Sequence, residues 1–266
     1  MDWPAGIARL LDEARTDVEQ LLTQGRIDRA SELTKAPGMS FNDTYNPMYF
    51  AGAFKSPIVL VHINPKLSPE LADYPYADFN DFYVRHRDFG YLHWGLDPTY
   101  YSPFDLKQVR FLRPFNAIEF RPETEVGHLR VNAAMVCDQK LQLELIPYAS
   151  QTFDAAKFSM AVLEPHFARV LAAISAYPRR YVLFCGAVFD DLIERSGLLT
   201  FRKDHRFHLP MKSGQGKVLY RFSNVMFSLN GVDVQAGIAR SFAIQGIPMG
   251  AYGSMCSELY GADWAS

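Results

Sequence analysis

Three short, almost wholly apolar runs constrain this chain more than anything else in it: P-I-V-L-V-H-I at 57–63, L-Q-L-E-L-I at 141–146 and Y-V-L-F-C at 181–185. Each has the length of a strand, and each stops at a breaker: Asn64-Pro65, Pro147 and Gly186. A strand with apolar residues at every position is covered on both faces, as in parallel sheets whose crossovers are helices. The second run differs, since Leu141, Leu143 and Leu145 alternate with polar residues, which predicts a strand with one buried face. Helical spacing fills the gaps. Leu10, Leu11, Ala14, Val18, Leu21 and Leu22 share one face of a helix over 6–24, and Phe167, Val170, Leu171 and Ile174 do so over 163–176. A further helix is expected over 187–195. Short strands at 218–222, 225–229 and 232–235 follow, then a glycine turn and a closing helix at 254–260. Helices alternating with apolar strands predict a three-layer α/β/α sandwich around a mostly parallel central sheet. In such a sheet, binding sites gather where the strands end.

At 266 residues and 48% hydrophobic composition the chain can fill one large core, and it has no low-complexity block. It is expected to form a single domain over 1–266, with residues 1–56 as a helical extension packed on it. No run of eighteen apolar residues exists and the N-terminus opens on Asp2 with an amphipathic pattern, so neither a membrane partner nor a signal peptide is expected, and the location is expected to be cytoplasmic. Cys137, Cys185 and Cys256 stand far apart and form no CxxC pair, which excludes a disulfide framework or a four-cysteine cluster and leaves buried free thiols. His86, His93, His205 and His208 have no spaced carboxylate or thiolate companions. Gly186 is solitary, and Gly214-Gln215-Gly216 follows no strand that opens a helix, so no phosphate loop is present. Neither a metal nor a cofactor is expected, and the chain is read as a monomer.

The net charge of -2 excludes a uniformly basic body but not a basic face. One stretch qualifies. Residues 202–221 carry Arg202, Lys203, Arg206, Lys212, Lys217 and Arg221 against a single acid, Asp204, and Gly214 and Gly216 mark it as an adaptable loop. Between 68 and 120 the periodicity dissolves into prolines, aspartates and aromatics, including Phe79, Phe82, Tyr91 and Trp94. So many rings argue for a structured loop with short helices.

Three strand-end motifs carry a family resemblance. V-L-V-H-I-N-P at 59–65 resembles the first motif of the uracil-DNA glycosylase superfamily, a buried strand ending in a glycine-x-Asn/Asp-Pro turn, and is most similar to the mismatch-specific branch, which has Asn there. L-E-L-I-P-Y-A-S at 143–150 resembles the family's middle strand, and V-L-F-C-G-A-V-F-D-D-L at 182–192 its later strand-glycine-helix unit. The sequence departs from the family in three places. His62 stands where the family has glycine, Glu144 where it often has an Asn that reads the base edge, and Ala239-Arg240-Ser241 where it has His or Asn before Pro-Ser.

The resemblance implies a monofunctional DNA glycosylase that swings a base into a pocket and hydrolyses its N-glycosidic bond. It assigns Asn64 to hold the attacking water, and Pro65, Lys66 and the amides that follow to grip the base. His62 would line the pocket and Phe79 or Phe82 would stack on the base. Glu144 is a candidate catalytic carboxylate, which points away from uracil toward a modified base such as those of bacteriophage DNA, and so toward antiviral defence. DNA contacts fall to Arg202, Lys203, Arg206, Lys212, Lys217, Arg240 and Ser241, with Phe242 as a wedge. Other readings stay open. Asn64 also suits a plain Asn-Pro turn, and Glu144 suits the solvent face of an alternating strand. The whole chain also suits a catalytically silent nucleic-acid binding module, or a nucleoside hydrolase or transferase.

Overall fold

The computed structural model describes residues 2–35, 40–67, 75–88, 108–109, 112, 120–122, 124–151, 154, 157–211 and 213–240. Within them the chain is an α/β protein. Helices α1 (Ala5–Gln24) and α2 (Asp28–Thr34) precede β1 (Phe50–Gly52) and β2 (Ile58–His62). Then come α3 (Phe79–Arg87), α4 (His128–Gln139), β3 (Leu141–Glu144), α5 (Met160–Ile174), β4 (Tyr181–Phe184) and α6 (Val188–Arg195). Three long strands follow: β5 (Leu199–Pro210), β6 (Lys217–Leu229) and β7 (Val232–Ala239).

All seven strands form one sheet in the order β1-β3-β2-β4-β7-β6-β5. β3, β2, β4 and β7 run parallel at its centre. β1 closes one side antiparallel to β3, and β6 and β5 extend the other as an antiparallel pair. Alternation along the central strands splits the core in two. Val59, Val61, Leu143, Val182, Phe184 and Ile238 face one apolar cluster, which α1, α5 and α6 complete. Ile58, Leu60, Tyr181, Leu183 and Phe222 face the other, with Ala133 and Val136 of α4 against them.

Three helices, α1, α5 and α6, form within a few residues of where the pattern placed them. The face of α1 that carries Ile7, Leu10, Leu11, Ala14 and Val18 is buried, and Gly25 ends the helix in the left-handed conformation with its N–H on Leu21 O. Gly6 brings α1 against α5 so closely that a β-carbon there would lie 2.0 Å from the Ala172 carbonyl oxygen.

Several expectations change. The basic stretch 202–221 is not a loop but most of the β5–β6 hairpin, and 218–222 and 225–229 are one continuous strand, β6. β7 continues to Ala239, four residues beyond the expected 235. β3 is buried on both faces, since Gln142 and Glu144 are covered as fully as the leucines between them. Residues 1–56 are more than a helical extension, because β1 adds an edge strand to the sheet. The expected closing helix at 254–260 lies outside the described residues. Among the described residues no helix is long and apolar enough to cross a membrane.

Candidate functional site

The topology itself picks out a place. The chain leaves β2, crosses to β3 on one side, and later returns to β4 on the other side of β2. Connections that depart in opposite directions from neighbouring parallel strands leave a crevice beyond the strand ends, and ligands of open α/β sheets bind there. Here that switch point lies beyond His62 of β2 and Phe184 of β4, where Ile63, Asn64 and Gly186 follow. Gly186 has φ 150, and a β-carbon on it would meet the Ile63 Cδ1 at 2.6 Å, so glycine is what lets the two strand ends close on each other.

Asn64 is half-buried and rigidly held. Its Nδ2 donates to Ser150 Oγ at 2.8 Å, Pro65 O at 3.1 Å and Tyr148 O at 3.2 Å. Two of these acceptors are carbonyls, which only the amide nitrogen can serve, so the orientation of the carboxamide is fixed. Oδ1 accepts none of the hydrogen bonds among the described residues. The partner loop is strapped in turn. Ser150 N donates to Pro65 O and Leu67 N to Ser150 O, while Asn42 N and Met48 N bind Ala149 O and Pro147 O. One of the amides expected to grip a base, that of Leu67, is therefore already engaged.

A buried polar network supports this loop from α1. Asp17, fully buried, accepts from Tyr49 Oη at 2.5 Å, Tyr148 Oη at 2.8 Å and Arg29 Nε at 2.9 Å. Burial raises its carboxyl above the usual range, against the opposing pull of Tyr49 and Arg29. Arg169 of α5 donates to Leu145 O at 2.8 Å and to Glu13 Oε2 at 3.1 Å, with its guanidinium over the Tyr49 ring. Sequence reading singled out neither Asp17, Tyr49 and Arg29 nor Arg169 and Glu13. The one available signal was Asp17 on the apolar face of α1, beside Val18.

On the opposite face of the sheet, Glu144, His62 and Cys185 stand side by side at the ends of β3, β2 and β4, all buried. Lys140 Nζ donates to Gln142 Oε1, and Gln142 Nε2 to Glu144 Oε1, each at 2.7 Å. Glu144 Oε2 has no hydrogen-bond partner. Burial pushes the Glu144 carboxyl up to about 8, against the Gln142 hydrogen bond and the Lys140 charge, so it holds its proton at neutral pH. Burial and the Lys140 charge take His62 down to about 3, which leaves it neutral. At 2% exposure Glu144 meets no solvent, so it offers a proton held inside the sheet.

The other expected residues disperse. Pro65 and Lys66 follow Asn64, with Lys66 exposed and bridged to Ser150. Phe82 is core: it lies among Phe50, Tyr76 and His86 with no exposed edge. Phe79 is partly exposed, stacked on Phe82 and covered by Arg15 at 4.7 Å. Both rings belong to the α1 face of the sheet, across from His62 and Glu144. His86 is locked between Phe50 O and Tyr76 Oη, both at 2.7 Å. A hollow of about 490 Å³ lies between Ala5 and Thr16 of α1 and Arg29 of α2, and no strand-end residue lines it.

The basic residues fall into two groups. Arg202 pairs with Asp190, Glu194 and Asp204, and Arg240 pairs with Asp190 and Asp204, so their charges are answered inside the protein. Lys203, Arg206, Lys217 and Arg221 are exposed and make no ion pair among the described residues. Lys212, Ser241 and Phe242 lie outside the described residues. Comparison with protein-family models, with curated proteins and with solved structures finds no match for this chain.

Proposed function

We propose that this chain is a DNA glycosylase of uracil-DNA glycosylase-like, three-layer architecture, which hydrolyses the N-glycosidic bond of a modified or damaged base swung out of the strand. One observation carries the reading. Asn64 stands at the switch point where the crossovers diverge, with its amide nitrogen pinned by three acceptors and Oδ1 left to accept from a water. A carboxamide fixed this way holds a nucleophile in place without reorganising, which is where positioned groups gain most of their effect. The water held at Oδ1 attacks the anomeric carbon as the C–N bond opens; the base departs with the bonding electrons, and the proton lost by the water ends on the base, which leaves a hydroxyl at the abasic sugar.

The test is direct. The purified protein is incubated with duplexes that carry uracil, mismatches or the modified bases of phage DNA, and abasic sites are scored by alkaline cleavage. Wild type is expected to cleave at least one class, and Asn64→Ala to lose activity by roughly a hundredfold or more. Absence of abasic sites on every duplex sinks the reading.

The exposed cations of β5 and β6 favour a second reading, a catalytically silent nucleic-acid binding module on the same fold. It predicts binding that weakens steeply with salt and yields no product.

A further inference from the structure

Among the described residues β5 and β6 outrun the rest of the sheet. The last rung between β6 and β7 is Phe222 with Ala239, yet β6 and β5 stay paired for five more rungs, from Arg206 with Arg221 to Pro210 with Lys217. At about 3.3 Å per residue this two-stranded arm projects roughly 17 Å past the end of β7. Two antiparallel steps separate β5 from β7, so both point the same way. The arm therefore leaves the sheet at the edge where β2 and β4 end, the edge that carries Asn64.

The two faces of the arm differ in character. Phe207, Leu209 and Tyr220 are buried in the second apolar cluster. The alternate rungs put Arg206, Arg221, His208 and Lys217 on the other, exposed face. Asp204 and Ser223 form the next rung on that face, toward the sheet, but Asp204 is taken up by Ser223, Arg202 and Arg240. Arg206 and Arg221 thus sit directly opposite each other without an acid to separate them. Like charges at such a rung destabilise a hairpin, and a hairpin that keeps them roots two guanidinium side chains about 5 Å apart at their β-carbons. Two forks rooted at that spacing suit a single tetrahedral oxyanion, and Lys217, four residues along, suits a second.

We propose that the arm is a phosphodiester clamp: Arg206 and Arg221 close on one phosphate of a nucleic-acid strand that runs past the switch point, and Lys217 takes a phosphate nearer the tip. The clamp rests on the DNA reading above and adds to it the part of the molecule that holds the strand.

Fluorescence anisotropy on labelled oligonucleotides without any modified base, single- and double-stranded, over a salt series tests the clamp apart from any chemistry. The double variant Arg206→Ala/Arg221→Ala is expected to bind about tenfold more weakly at fixed salt and to lose about 0.7–0.9 from the slope of log K against log salt, the value of one phosphate. Each single variant is expected to lose most of that, because the two arginines share the phosphate. Lys55→Ala, in the turn before β2 at the opposite end of the sheet, is expected to change neither quantity. Loss on single strands, duplex or both supports the clamp and identifies the form held. A double variant with native circular dichroism and unchanged affinity and slope on both overturns it, as does arm-dependent binding of anionic vesicles without binding of DNA. Arm-dependent binding without abasic sites on modified duplexes would sink only the glycosylase reading, and abasic sites with an indifferent arm would sink only the clamp.

Discussion

Asn64 shows how much one side-chain type can decide. Its two amide protons serve the Tyr148 and Pro65 carbonyls and the Ser150 hydroxyl. A carboxylate in the same place would face two carbonyl oxygens with nothing to donate. Asn64→Asp is therefore expected to destabilise the fold by about 2–4 kcal/mol, and by more than Asn64→Ala, which removes the donors without adding a charge. Urea midpoints of the three proteins measure the order. Glu144 has a different signature. Its carboxyl moves from an ordinary value of 4.5 up to about 8 on folding. A raised value means that the folded state keeps a proton the unfolded chain gives up. The contribution is complete below about pH 4.5 and is lost as pH rises toward 8, on the order of a few kcal/mol across that window. Glu144→Gln, which stays neutral throughout, is expected to flatten the decline in stability over that range. A decline of wild-type size in the variant would show that another group titrates.

At the scale of elements, the sequence was legible wherever periodicity and burial agree. α1, α5, α6, β2 and β4 each expose or bury residues as their spacing demands. β5 was not legible because Lys203 and His205 occupy the positions between Phe201 and Phe207 where an alternating strand would carry apolar residues, and the charge reads as loop. β1 has three residues, one a glycine, too few to show a period. β3 misled in the other direction. Its Leu-Gln-Leu-Glu alternation is that of a half-exposed strand, yet the sheet buries the polar side with Lys140 in attendance. Gly6 shows what a single position does for element packing. Gly6→Val would force a side chain into the Ala172 carbonyl, and is expected to cost about 1–3 kcal/mol or more and to lower the thermal midpoint by several degrees. Differential scanning calorimetry reads the shift, and an unchanged midpoint would mean that α1 slides on α5 without penalty.

For the molecule as a whole, the candidate site was half-legible. Asn64 announced itself as a strand end, but the residues that fix it did not, because Tyr148, Ser150 and Asp17 meet it only through the fold. The same long-range character governs how the protein is made. The apolar face of α1 is covered by α5, and Glu13 finds Arg169 only after about 150 further residues have been added. β2 pairs with β3 across about 80 residues and with β4 across about 120. Contacts of such sequence separation are slow to close. During synthesis α1 thus waits for α5 with Leu10, Leu11 and Val18 bare, and until α5 has been made that face of the nascent chain is open to chaperone capture or aggregation.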